Sequence, residues 1–151
     1  MSAQQSCPIT GLKAILLATD GSAYSEAALT ESIHLSKACA SKLYVVSVIE
    51  MNPEYEAMAP QIVEKAATET KQILDYTKEC IEKEGIACEV IAHTGEEPAD
   101  FIVEEAKKHG VNMIVMGMHG RRGLKRLMMG SVTAKVLAHT PCSVLIVKPK
   151  L

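Results

Sequence analysis

Between Gly117 and Lys135 the sequence reads GMHGRRGLKRLMMGSVTAK, which packs Gly117, Gly120, Gly123 and Gly130 into one short connection. Glycine admits positive φ and lets backbone N–H groups approach an anion closely. A helix opening at Ser131 adds free N–H donors and the positive end of its dipole. Together these features suit a phosphate. The hydroxyls of Ser131 and Thr133 offer further donors, and Arg121, Arg122, Lys125 and Arg126 supply countercharge. A flexible loop capped at Ser131, with a merely solvated basic cluster, is the plainer reading of the same residues. Context favours the phosphate, because the stretch follows a buried-strand pattern and precedes a helical one. It holds neither a P-loop motif (GxxxxGK followed by Ser or Thr) nor GxGxxG, so the familiar NTPase and dinucleotide loops lose support.

Other residues offer less. His34, His93, His109, His119 and His139 show no metal-ligand spacing and read as surface or capping histidines, with His119 set apart by its place inside the glycine stretch. There is no GxSxG elbow, and no carboxylate pair can be assigned to one site. Met113, Met116, Met118, Met128 and Met129 read as packing residues, the last two also able to adapt a loop around a ligand.

The elements that must position the glycine stretch alternate along the chain. Ala14 to Thr19 is a short apolar run closed by Asp20-Gly21-Ser22, which predicts a buried strand and a tight turn. Ala28, Ser32, Leu35 and Cys39 recur at helical spacing behind Ser22 as N-cap. Leu43 to Ile49 predicts a second strand, followed by a polar connection with Asn52, Pro53 and Pro60. The longest helix is expected from Gln61 to Glu84, with Ile62, Ala66, Ile73, Thr77 and Ile81 on one face and Gly85 as its stop. Ala87 to Ala92 predicts strand three, and Pro98 opens a helix with the stripe Ala99, Ile102, Val103 and Ala106. Asn112 to Met116, Ser131 to His139 and Ser143 to Val147 complete the series as strand, helix and strand. Near-continuous apolar strands alternating with helices predict a doubly wound α/β domain with a mostly parallel sheet. Ligands of such sheets bind beyond the carboxyl ends of the strands where strand order reverses, which draws Asp20 and Val48 toward the glycine stretch. Asp20 as a plain turn residue and Val48 as an ordinary strand hydrophobe remain the alternatives.

A chain of 151 residues matches one domain, spanning 1–151 with a flexible tail over 1–12. A net charge of −2 gives no electrostatic reason to expect nucleic acid as a partner. Cys7, Cys39, Cys80, Cys88 and Cys142 are odd in number and without CxxC spacing, which argues against a disulfide framework and a zinc site and predicts reduced thiols. No secretory pattern opens the chain and no stretch approaches a membrane span, so the expected location is cytoplasmic, without membrane association.

The spacing Gly117, Gly120, Gly130-Ser131 resembles the ATP-binding signature of the universal stress protein family. The resemblance runs from about Lys13 to Lys148 through ATDGS, VVSVIE, TGEEPADFIVEEAKKHG, IVMGMHGRRG and LMMGSVTAKVLAHTPCSVLIVK. It implies a five-stranded parallel sheet in the order 3-2-1-4-5, ATP (or ADP or AMP) bound between strands one and four, and usually a homodimer. Carried onto this sequence, Asp20 would contact the ribose or a phosphate-bound Mg²⁺ or Mn²⁺, and the backbone of Val48 would recognise adenine. Ala18 and Met116 would line the pocket, Gly117 and Gly120 would bind ribose and phosphate, and Gly130, Ser131 and Val132 would hold phosphates. Thr19, Arg121 and Thr133 complete the candidate set. Ala18 departs from the family, in which Pro often precedes Thr-Asp; this loosens a backbone constraint and removes no polar contact. The implied function is a nucleotide-binding module of a stress response whose ligand state alters its loop and the surface offered to an unidentified protein partner. The alternatives are a slow ATPase or nucleotidyl transferase, with Asp20 positioning metal and Arg121 or Arg122 neutralising charge, and a nucleotide-free interaction protein dimerised through Ser143 to Val147.

Overall fold

The structure, a computed structural model, describes residues 7–120 and 129–150. Its first strand, β1 (Ala14–Ala18), is followed by α1 (Ala23–Cys39) and β2 (Lys42–Glu50). Then come two helices in close succession, α2 (Pro53–Met58) and α3 (Pro60–Glu82), before β3 (Cys88–Gly95). The chain finishes with α4 (Pro98–His109), β4 (Met113–Gly117), α5 (Ser131–His139) and β5 (Ser143–Val147). All strand pairs are parallel, in the order β3-β2-β1-β4-β5. Strand order therefore reverses between β1 and β4, at the expected switch point.

Alternation along the strands sends neighbouring residues to opposite faces, and both faces are covered. Ile15, Leu17, Val45 and Val115 pack with Leu29 of α1 and Leu74 and Ile81 of α3. Leu16, Val46 and Ile114 pack with Ala99, Ile102 and Ala106 of α4 and Val136 of α5. That second group contains most of the stripe read from α4's sequence.

The face that α1 presents is partly built of serine. Ser25, Ser32 and Ser36 are buried, and Ser32 Oγ donates to the Ala28 carbonyl at 2.8 Å, so small side chains let the helix approach the sheet while satisfying their own hydroxyls. Ser22 caps the helix as expected, its Oγ accepting from the Ser25 N–H.

Three findings differ from the sequence reading. The polar connection after β2 contains a helix, α2, started by the Asn52 side chain accepting from the Tyr55 N–H at 2.7 Å and by Pro53 in its first turn. It escapes hydrophobic-periodicity reading because it buries no residue. The expectation of reduced thiols is corrected at one pair: Cys7 and Cys39 form a disulfide across 32 residues of sequence. The reason is spatial, because the end of α1 returns to the chain entering β1, a proximity that no local motif announces. The segment before β1 is also held by packing, since Leu12 is buried in the core and its carbonyl accepts from Ser41 Oγ at 2.5 Å. Cys80, Cys88 and Cys142 are free thiols, and burial pushes Cys88 up to about 11.

Candidate functional site

Beyond the carboxyl ends of β1, β2 and β4 lies a cleft of ≈ 1380 Å³. Ala18, Thr19, Asp20, Val48, Met116, Gly117, Gly120, Gly130, Ser131, Val132 and Thr133 all line it. Residues from four separate stretches of sequence thus meet in one place. Arg121 lies outside the described residues, as do Arg122, Gly123, Lys125, Arg126 and Met128.

The glycines are required for close approach and not for positive φ, which among the described glycines occurs at Gly11, Gly21, Gly85 and Gly110. A Cβ at Gly117 would stand 2.7 Å from Tyr24 Cβ and 3.0 Å from the Tyr24 carbonyl carbon, inside the start of α1. At Gly130 it would meet the Met118 carbonyl oxygen at 3.1 Å. At Gly120 it would meet Asp20 Oδ2 at 2.8 Å, so the carboxylate at the end of β1 faces the glycine stretch directly across the switch point. The other oxygen of Asp20 accepts from the Ser22 N–H at 2.9 Å, which fixes the turn and aims the side chain.

At the mouth of α5, Gly130 is the N-cap and no side chain caps the helix. The first-turn amides of Ser131 and Val132 and the positive dipole end therefore face the cleft without a capping side chain. Two expected phosphate donors are engaged elsewhere. The Gly130 N–H donates to the Met118 carbonyl at 2.9 Å. Thr133 Oγ1, buried, donates to the Gly117 carbonyl at 3.0 Å and approaches that of Met118 at 3.3 Å, tying α5 to the end of β4. These bonds make Gly130 and Thr133 builders of the loop.

Ladder parity fixes the direction of the Val48 backbone groups. Lys42 N–H bonds Lys13 and the Val46 carbonyl accepts from Thr19, both on the β1 side, whereas Leu43 and Met51 N–H groups bond the β3 side. By that alternation the N–H and C=O of Val48 point toward β1. The last β1 residue in register is Ala18, opposite Val46, so at Val48 the ladder has run out and these groups open into the cleft.

His119, between two of the glycines, is buried with its ring edge on Tyr24, centroids 5.1 Å apart. It lines the cleft as well. His93 and His109 are not simple surface residues: their Nε2 atoms lie 2.8 and 3.0 Å from the two oxygens of buried Glu105, outside the cleft. Burial pushes the Glu105 carboxyl up, but the His93 hydrogen bond and the charges of Lys108, His93 and His109 outweigh it and hold it below the usual glutamate range. Among the described residues, no group of three or more His, Cys, Asp or Glu side chains is placed to hold a metal ion.

Sequence reasoning missed one wall of the cleft. Tyr55 of α2 and Ile62, Ala66 and Ile73 of α3 line it, together with Glu50, Glu69, Glu96 and Glu97. Ile62, Ala66 and Ile73 were visible as an apolar stripe, but spacing alone cannot say that the first half of α3 overhangs a cleft. Glu97 pairs with Lys135 of α5.

The sequence profile of the universal stress protein family matches residues 11–148. The chain belongs to the universal stress protein family. It is 35% identical over 147 residues to universal stress protein YxiE of Bacillus subtilis, covering 89% of this chain and 97% of that one. The solved structure of hypothetical protein MJ0577 superposes with a TM-score of 0.84 at 31% identity, covering 92% of this chain and 97% of the other. The universal stress protein from Archaeoglobus fulgidus in complex with dAMP shares the fold, with a TM-score of 0.67 at 23% identity and coverage of 91% and 98%. The five-stranded 3-2-1-4-5 sheet is the fold of these universal stress proteins.

Proposed function

We propose that this universal stress protein binds an adenine nucleotide, ATP or else ADP or AMP, in the cleft between β1 and β4. One observation carries the reading: Asp20, Gly117, Gly120, Gly130 and the uncapped start of α5 converge on a single corner, at contacts where a Cβ cannot be added freely. Phosphates sit at the amides of Ser131 and Val132 with the backbone of Gly120, the ribose lies near Asp20, and the base meets the backbone of Val48. Ala18, Thr19 and Met116 form the floor. The dAMP held by the Archaeoglobus fulgidus relative supports an adenine nucleotide as ligand class.

A divalent ion fits this site only in company with the nucleotide. Mg²⁺ is ordinarily held through one or two carboxylates plus substrate phosphates, and Asp20, whose Oδ2 faces Gly120, could serve in that way. The metal would supply charge neutralisation to the phosphates, with Mn²⁺ an equivalent occupant.

The protein acts as a binding module in a stress response, its nucleotide state altering the surface offered to a protein partner. It dimerises through the open edge of β5, which in this chain is paired on one side by β4. We place it in the cytoplasm; among the described residues no helix is long and apolar enough to cross a membrane. Identification by mass of ligand released from denatured protein, with calorimetric titration of ATP, tests the binding reading. Stoichiometric adenine nucleotide is expected, and no binding to intact protein at millimolar ATP would overturn it. Sedimentation of a monomer at working concentration would remove the dimer.

A further inference from the structure

The α2–α3 corner presents a surface that packing among the described residues does not explain. The six residues of α2 bury nothing, and a helix that short is not stable in water by itself. Yet its large apolar side chains are exposed, Met58 away from the cleft and Tyr55 at its rim. Met58 is 85% exposed and Tyr55, one turn earlier on the same face, is 50% exposed. Ile62, in the first turn of α3, is 48% exposed and borders the same cleft rim as Tyr55. They are among the most exposed large hydrophobic residues described, and they fall within eight positions of sequence.

Charge gives the patch a polarity. From Leu43 to Glu64 the chain has no Lys, Arg or His, whereas Glu50, Glu54, Glu56 and Glu64 are all exposed. Four carboxylates without a cation in this span contrast with a net charge of −2 for the whole chain. An apolar strip framed by acid repels an anionic lipid surface and another copy of itself. It complements a segment whose apolar side chains alternate with Lys or Arg.

We propose that the α2–α3 corner is a docking surface for a basic amphipathic segment of a partner protein. Apolar side chains of the partner cover Met58, Tyr55 and Ile62, while its cations meet Glu54, Glu56 and Glu64. The proposal goes beyond nucleotide binding and does not depend on it, so its test is run without nucleotide.

The probe is a labelled leucine–lysine peptide of about five helical turns, titrated by fluorescence anisotropy against the full chain. A leucine–glutamate peptide of the same pattern and a scrambled leucine–lysine peptide serve as comparisons. Met58→Ser removes the most exposed anchor without touching the cleft, and Glu54→Lys with Glu56→Lys inverts the frame. Each is expected to weaken the patterned basic peptide by about tenfold or more, with the scrambled and acidic peptides binding far more weakly to wild type. Glu79→Lys with Glu82→Lys, at the exposed far end of α3, makes the same change in net charge away from the corner and is expected to leave affinity within about twofold. Equal weakening by both charge pairs would overturn the proposal, because attraction would then be diffuse. So would binding to phosphatidylserine vesicles that Met58→Ser abolishes while the peptide never binds, or a dimer seen by sedimentation that Met58→Ser dissolves.

Discussion

Two neighbouring glycines separate the requirements of folding from those of binding. At Gly117 the atoms crowding an added methyl are Tyr24 Cβ at 2.7 Å and Tyr24 backbone at 3.0 Å, so the start of α1 itself would have to move. At Gly120 the crowding atom is Asp20 Oδ2 at 2.8 Å, the far end of a side chain. Gly117→Ala should therefore behave as overpacking, costing roughly 1–3 kcal/mol of stability. For a domain of this size that is a fall of about 2–4 °C in Tm per kcal/mol. Gly120→Ala should be relieved largely by rotation of the carboxylate, a smaller adjustment than moving the start of α1, and should therefore cost less than Gly117→Ala.

Affinity should move the other way. If Asp20 accepts from a ribose hydroxyl or holds the nucleotide's metal, displacing it loses a charge-assisted interaction of about 1.5–3 kcal/mol, roughly ten- to a hundredfold in Kd. Calorimetry of ATP binding to Gly120→Ala, with Mg²⁺ and with EDTA, reads the effect, beside thermal melts of both variants. Loss under both conditions assigns Asp20 to the ribose, and loss with Mg²⁺ alone assigns it to the metal. Wild-type ATP affinity in Gly120→Ala, or a Tm drop as large as that of Gly117→Ala, would refute the reasoning.

Thr133→Val should leave the buried Gly117 carbonyl without its 3.0 Å donor and destabilise the fold by about 1–3 kcal/mol, whereas Ser131→Ala, exposed and without a capping bond, should stay within about 0.5 kcal/mol in the same melts. Closing a loop across 32 residues, the Cys7–Cys39 bond should contribute about 3–4 kcal/mol by the chain-entropy estimate. Cys39→Ser, compared with wild type under oxidising and reducing conditions, should melt like the reduced protein; identical melts in all three states would show that the bond does not form. Glu105 has a folded pKa below its unfolded value, so its contribution is present at neutral pH and lost as pH falls through the folded pKa. Chemical denaturation from neutral pH into the acid range should show a shallower acid decline in Glu105→Gln than in wild type, and equal slopes would remove Glu105 from the acid response.

The fold was legible wherever the signal was local. Gly130 and Thr140-Pro141 bracket α5, and the apolar run from Ser143 to Val147 is β5 itself. Asp20 and Val48 could be placed because a parallel sheet with one reversal leaves little freedom about where strand ends meet. What escaped was relational. The Asn52 and Pro53 start signal was present, but a helix without a buried stripe has no periodicity to announce it. The Cys7–Cys39 pair depends on where α1 ends in space. Ile62, Ala66 and Ile73 show an apolar face without revealing that a cleft lies opposite its first half.

The glycine spacing makes physical sense only when the charge of the cleft is considered. The described residues that line it include Asp20, Glu50, Glu69, Glu96 and Glu97 and no Lys or Arg, and Glu97 is already paired with Lys135. A phosphate entering here meets carboxylates, so among these groups attraction must come from backbone amides and the dipole of α5. Amides attract only at hydrogen-bonding distance, which requires main chain at the surface of the site with no side chain in the way. Packing β4 against Tyr24 and the loop against Met118 imposes the same condition from behind. Under the proposed nucleotide binding, glycine at 117, 120 and 130 is therefore the common solution to a packing constraint on one side and a recognition constraint on the other. A substitution at Gly120, where the constraint from behind is a movable carboxylate, is the one that can tell them apart.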